Sequence, residues 1–234
     1  GGRAFDLVTC ANNHCLDFGA EGVDSTLRIL GEDGIVCAGI HGEGEDPRRP
    51  CLLERNGIVL GVLAFTFGLN ARRPPPERPL IANRMNLLDR PENVDWTLFD
   101  EQLAACQSAG VDFVVAQLHW GMEHEHYPRP EQIEVAHAMF ERGVDAVIGH
   151  HPHVIQPFEL YRTRRDPERV APIFYSLGNL VNPCSARFMC VSGVARLQLA
   201  RCVTADGDVR TYVTHAEQHE VEQLTDLTRR TISL

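Results

Sequence analysis

Phe113-Val114-Val115-Ala116-Gln117-Leu118 runs into His119-Trp120-Gly121, and further along Ala146-Val147-Ile148 runs into Gly149-His150-His151-Pro152-His153. Both openings are short, mostly apolar and bounded by turn-forming residues, the pattern of a strand buried in a sheet. Between them, Glu131 to Arg142 sets Ile133, Val135, Ala136 and Met139 along a helical segment. Strand, helix and strand in that order predict an α/β architecture.

The alternation continues outward. Phe5 to Cys10 reads as a short buried strand entering the polar turn Ala11-Asn12-Asn13-His14. Val23, Leu27 and Leu30 recur at helical spacing, Gly31 or Gly34 supplies the stop, and Ile35 to Gly39 is a second short strand. Asn56-Gly57 between Leu52–Arg55 and Ile58–Phe67 is the strongest short-range hairpin signal. Asp95 to Ala109 is an amphipathic helix with Trp96, Phe99, Leu103 and Cys106 on one face. Ile173 to Ser176 is a strand ending at Leu177-Gly178-Asn179, and a closing hairpin turns at Asp206-Gly207 within residues 193–216. With no internal repeat and no linker, residues 1–234 are read as one domain, and the proline-rich stretch 71–79 as an insertion.

Composition narrows the function classes. The 234 residues carry 32 acidic against 22 basic side chains, a net charge of −10, which argues against nucleic-acid binding through a basic face. All the basic residues are Arg, so mechanisms that need a lysine are excluded. No apolar run approaches the roughly 20 residues that span a bilayer, and the opening Gly-Gly-Arg-Ala-Phe-Asp is not a signal peptide. Eight cysteines without a C-x-x-C pair read as small buried thiols.

Seven of the 11 histidines fall between His119 and His153. Three strands share one design: Asp6–Cys10 ends in Asn-Asn-His, Phe113–Leu118 in His-Trp-Gly, and Ala146–Ile148 in Gly-His-His-Pro-His. Ligand sites of α/β sheets lie at the carboxyl ends of strands, so these tips bring Asn13, His14, His119, His151 and His153 into one crevice. Neutral imidazole suits Zn, Fe, Mn or Ni, and an asparagine carbonyl is a harder donor. The mixture fits a two-metal hydrolytic centre for an in-line displacement. Asn12 is read mainly as a cap for the following turn, and Trp120 as packing under its loop. Asp17, Glu123 and Asp145 either orient the histidines or fill solvated and capping roles. His41, His124, His126, His137, His215 and His219 are read as surface or internally satisfied residues, and the role of His150 is left open.

Taken together, Ala11-Asn12-Asn13-His14 with Asp17-x-Gly19, His119-Trp120-Gly121-x-Glu123, Gly149-His150-His151-Pro152-His153-Val154 with Gln156 and Glu159, and Tyr175-Ser176-Leu177-Gly178-Asn179 resemble the CapA family. That is the bacterial capsule-synthesis and poly-γ-glutamate-biosynthesis group, similar to calcineurin-like metallophosphoesterases. The resemblance runs from Phe5 to Val181. It implies a four-layer αββα sandwich with two divalent metal ions (Mn, Fe or Zn) at the strand ends. By motif, Asn13, His119, His151 and His153 would be metal ligands, and His14 the acid that protonates the leaving group. It also implies an acidic strand pair upstream of Asn13; only twelve residues precede that position, so an N-terminal βαβ unit is expected to be missing from this sequence. Family members are often membrane-anchored or extracytoplasmic.

Two functions follow from the resemblance. One is a metal-dependent phosphoesterase-type hydrolase acting on a phosphoester. The other is a non-catalytic accessory that grips an anionic polymer for the capsule-synthesis machinery. A metal amidohydrolase barrel, which also uses His-x-His, is disfavoured because the pair follows two other strand tips and a carbamylated lysine cannot form.

Overall fold

The computed structural model describes residues 5–181, 186–226 and 231–233. In chain order its elements are β1 (Leu7–Thr9), α1 (Gly19–Glu32), β2 (Val36–Ala38), β3 (Cys51–Arg55), β4 (Ile58–Thr66), α2 (Thr97–Ser108), β5 (Phe113–His119), α3 (Pro130–Arg142), β6 (Ala146–His150), β7 (Phe158–Arg162), β8 (Val170–Phe174), β9 (Val191–Val203), β10 (Val209–Glu222), β11 (Leu224–Asp226) and β12 (Thr231–Ser233). A six-stranded sheet runs β3-β4-β5-β6-β8-β7. Its centre, β4, β5, β6 and β8, is parallel, and antiparallel β3 and β7 form the edges.

The apolar continuity of β5 follows from burial on both faces. Val114, Ala116 and Leu118 join Phe99 and Leu103 of α2 and Val135 and Met139 of α3 in one core. Phe113 and Val115 face the opposite way, onto Leu197, Leu199 and Val213 of the β9–β10 hairpin. Beside that hairpin, Ala11 and Ala38 pack on Val62 and Ala64 of β4. Strands β1 and β2 are parallel and joined by α1, a βαβ unit whose outer side packs Val23 and Leu27 against Cys10 and Cys37. The layers are therefore helices α2 and α3, the six-stranded sheet, the β1–β2 and β9–β10 pairs, and α1: an α/β sandwich.

Local chemistry accounts for the boundaries. Asn56 and Gly57 have φ of 52° and 76°, the double left-handed geometry of a two-residue hairpin turn. In α3, Pro130 occupies the first turn, where its missing N–H is harmless, and the buried Gln132 side chain accepts the Arg129 N–H at 3.0 Å. Gly143, at φ 134°, ends that helix.

Some elements differ from the sequence reading. Strand β7 is not foreseen by it, and the closing hairpin is longer, from Val191 to Glu222. Asp145 does not orient any histidine. It sits at the start of β6, where it accepts hydrogen bonds from Val114 N–H at 2.8 Å, Arg165 at 2.9 Å and Arg169 at 2.7 Å. Cys10, Cys15, Cys37, Cys51, Cys106 and Cys202 are thiols, as expected, but only Cys106 of these is buried, the first four being half-buried and Cys202 exposed; Cys184 lies outside the described residues. Among the described residues no helix is long and apolar enough to cross a membrane.

Candidate functional site

Parallel register sets His119 level with His150, so β5 and β6 end together. Past that point the chain needs two glycines. Gly121 turns with φ 86° against the Gln132 side chain. A Cβ on Gly149 would lie 2.0 Å from the Tyr175 carbonyl oxygen and 2.5 Å from Trp120 Nε1. That crowding seats the fully buried Trp120, which donates to the Tyr175 carbonyl at 3.0 Å and packs under the loop as the sequence implied. His124, His151 and His153 have φ of 65°, 101° and 61°, conformations that side-chain-bearing residues seldom adopt and that concentrate at working sites. The His124 N–H donates to the Pro152 carbonyl at 2.8 Å and ties the two loops together.

The sequence-assigned residues converge. Asn13 is buried, and its Oδ1 lies 2.9 Å from His119 Nε2. The His119 ring stands 4.8 Å from that of His151, and His151 stands 5.9 Å from His153. His14 joins through Asn70, which accepts from Asn13 Nδ2 at 3.0 Å and holds its own Nδ2 3.4 Å from His14 Nε2. Asp17 takes the orienting role, with its carboxylate 2.7 Å from His14 Nδ1. Asn12 caps the turn, accepting the His14 N–H at 2.9 Å. His153 Nδ1 meets Asn179 Oδ1 at 2.7 Å, which places the Leu177-Gly178-Asn179 tip at the same site.

Burial keeps His119 and His151 neutral. Burial, helped by the neighbouring His151, His150, His153 and His14, pushes the His119 pKa down to about 3. Burial pushes His151 down to about 4 against the opposing pull of Glu123. A neutral imidazole is the metal-binding form. His151 Nδ1 is buried and has no hydrogen-bond partner among the described residues, a costly arrangement unless something else uses that nitrogen.

Glu123, assigned above only an orienting or solvated role, offers a carboxylate oxygen within 4.8 Å of the ring nitrogens of His151 and His153. The three form a candidate His/Glu metal-binding group, a donor set suited to Zn, Mn or Fe. Its signal was the His-Trp-Gly-x-Glu spacing, in which the Gly121 turn swings Glu123 back over the strand end. Asn70 carried no sequence signal, standing 57 positions from its partner Asn13.

Other histidines lie elsewhere. His150 turns towards Gln117 Oε1 at 3.2 Å, in a cavity of roughly 230 Å³ behind the cluster, and burial lowers its pKa to about 4. His137 bonds Glu159 at 2.8 Å and stacks on Tyr161, and His41 meets Asn83 Oδ1 at 2.7 Å. His215 and His219 flank the Glu217 carboxylate on the exposed side of β10.

Comparison with known proteins agrees with these motifs. The family model described as bacterial capsule synthesis protein PGA_cap matches residues 2–184. A capsule biosynthesis protein CapA from Bacillus anthracis is 33% identical over 178 residues, covering 76% of this chain and 40% of that protein. A PGA biosynthesis protein CapA from Bacillus subtilis is 30% identical over 182 residues, covering 76% and 42%. A Mycobacterium tuberculosis protein described as a probable polyglutamine synthesis accessory protein is 32% identical over 184 residues, covering 75% and 45%. The chain thus spans less than half the length of these relatives. A crystal structure of a hypothetical protein from Thermus thermophilus shares the fold at a TM-score of 0.50 and 14% identity, over 94% of this chain and 77% of that one. With four spaced motifs assembled at one sheet end, a family model covering most of its length and relatives above 30% identity, the chain belongs to the CapA, or bacterial capsule synthesis protein PGA_cap, family.

Proposed function

We propose that this chain is a metal-dependent phosphoesterase-type hydrolase serving capsule or poly-γ-glutamate synthesis. The observation that supports it is the convergence of Asn13, His14, His119, His151 and His153 with Glu123 at the ends of adjacent strands. Glu123, His151 and His153 would hold one divalent ion, and Asn13 and His119 would offer donors to a second. A bound divalent ion polarises a phosphoryl oxygen and makes water acidic enough to attack at neutral pH.

The chain's own residues supply the rest. With Asp17 at Nδ1, the His14 nitrogen left to serve a leaving oxygen is Nε2, on a side chain that is 66% exposed. Asn70 holds His14 and Asn13 at a fixed separation, so the acid and the ion-binding residues act on one bound group.

One observation favours a second reading, an accessory that binds an anionic polymer without turning it over. Among the described residues a single group of three His, Cys, Asp or Glu donors converges, fewer than a two-ion hydrolase commonly uses. Elemental analysis per protomer, followed by turnover of bis(p-nitrophenyl) phosphate with added Mn or Zn, separates the readings. Metal-dependent turnover that falls on His14→Ala supports the hydrolase. A loaded chain that cleaves no phosphoester but binds poly-γ-glutamate supports the accessory, and a chain that takes up no ion sinks the metal centre.

A further inference from the structure

The loop after β4 reaches the site by a constrained path. Leu69 is buried in the core under α1, and the Arg72 N–H donates to its carbonyl at 2.8 Å, closing a tight turn. Within it, Asn70 and Ala71 are consecutive left-handed residues, at φ 46° and 60°. That costly geometry points Asn70 at His14 and Asn13. Pro74, Pro75 and Pro76 stiffen the chain that follows. Arg78 then clamps it to α1 through two 2.8 Å bonds to Asp24.

Between the two anchors, Arg72 and Arg73 line a cavity of roughly 370 Å³ together with Leu16, Asp17 and Pro75. Both arginines are exposed, and neither side chain has a hydrogen bond or ion pair among the described residues. Asp17 is the single carboxylate in the lining, and it is engaged by His14 at 2.7 Å. Two unpaired guanidiniums against one occupied carboxylate make a locally positive pocket in a chain of net charge −10. Guanidinium matches the paired oxygens of carboxylate and phosphate groups.

We infer that Arg72 and Arg73 form an oxyanion-binding subsite beside His14, holding an acidic group of a ligand that carries several. The inference rests on the reading of the strand-end cluster as the reactive centre. The ligand is then an oligoanion with one group at the cluster and the next in this pocket, and the proline-rich loop is a recognition arm.

The test is calorimetric binding of tripolyphosphate and of tetraglutamate, with tetraglutamine as the uncharged control, to the metal-free and the Mn-loaded chain at low salt. Arg72→Ala/Arg73→Ala should weaken oligoanion binding about tenfold with metal content unchanged, and Arg72→Lys/Arg73→Lys should recover part of the loss. Response to one oligoanion or to both supports the subsite and names its preferred group. A double alanine variant that binds as well as the parent overturns it, as does a parent that binds neither oligoanion or binds tetraglutamine equally. The two readings fail separately. Arginine-dependent binding to a chain that takes up no ion leaves the subsite standing without the metal centre. Metal-dependent turnover in a chain whose oligoanion binding is indifferent to both arginines removes the subsite alone.

Discussion

At the entrance to β5 and β6, the Asp145 carboxylate accepts from a backbone N–H and two arginines, and one of these, Arg169, also reaches the Thr211 carbonyl of β10 at 3.0 Å. At the exit of the same strands stand buried neutral imidazoles, three histidines at positive φ, and an unpartnered His151 Nδ1. The first end shares one carboxylate among three donors and stitches the sheet to its covering hairpin, although Arg169 Nε and Thr211 Oγ1 there have no hydrogen-bond partner among the described residues. The other end gathers its unpartnered ring nitrogen with further imidazoles and a carboxylate, donor types that suit a metal ion. The two ends of one scaffold thus differ in kind, the first tying the sheet to its hairpin and the second carrying the candidate metal-binding group.

The contrast is easiest to break at the Asp145 end. Asp145→Ala takes from the nearly buried Arg169 its 2.7 Å counter-charge and leaves it Asp166 at 3.6 Å, so the cost should fall at the lower end of the about 3–5 kcal/mol for breaking a buried pair. Urea denaturation should show that loss, while the folded fraction binds metal as before; a stable variant that has lost its metal would reverse the assignment of the two ends. At the open end the effects should swap. His151→Ala and His119→Ala should each weaken divalent-ion affinity tenfold or more, read by elemental analysis and competition with a chelator. Unchanged metal content in both variants would mean that the strand tips do not share a site.

The same contrast explains how much of the molecule could be read beforehand. Strand β5 was legible because both its faces are buried, which forces an apolar run. Strand β7, Phe-Glu-Leu-Tyr-Arg, lies at a sheet edge and alternates over only five residues, too short a signal beside Pro157. The hairpin was read short, within residues 193–216, because its outer side is solvated and the polar run Glu217-Gln218-His219-Glu220 of β10 lacks the apolar alternation of a strand. At the site, His119, His151 and His153 announced themselves because histidines at strand ends are a chemical anomaly. Glu123 was underread, since an exposed acid on a loop is ordinary until the Gly121 turn brings it back over the histidines. Asn70 and the two arginines were invisible as site residues, because only the folded chain carries the β4 loop against His14.

Acid should sharpen the comparison in the metal-free chain. His119, His150 and His151 have folded pKa values of about 3, 4 and 4, below the ordinary value of 6.5. Between those values and 6.5 the unfolded chain binds protons that the folded chain does not, so falling pH favours unfolding. Stability is therefore full above pH 6.5 and drains through the window towards pH 4. Each histidine contributes up to about 1.4 kcal/mol per pH unit to that slope. Urea midpoints at pH 6.5, 6.0, 5.5 and 5.0 should drop accordingly, and His150→Gln, which keeps an amide near Gln117, should flatten the slope by one proton. An identical slope in that variant would mean that His150 is protonated in the folded state.

The smallest effect isolates the backbone. His153 holds φ of 61°, where a Cβ crowds the main chain and glycine does not. His153→Ala and His153→Gly remove the same ring nitrogens, so both should lose metal equally. They differ only in what the left-handed conformation costs, and the glycine variant should be the more stable by about 1 kcal/mol. On the extended strand β10 the order should invert, with His215→Gly less stable than His215→Ala by about 0.5–1 kcal/mol, because glycine there has more chain freedom to lose. A glycine preference at His153 with an alanine preference at His215 would place the strain at the site and not along the chain at large. The same order at both positions would mean that the loop after β6 is relaxed, and that the positive φ values there store no energy for function.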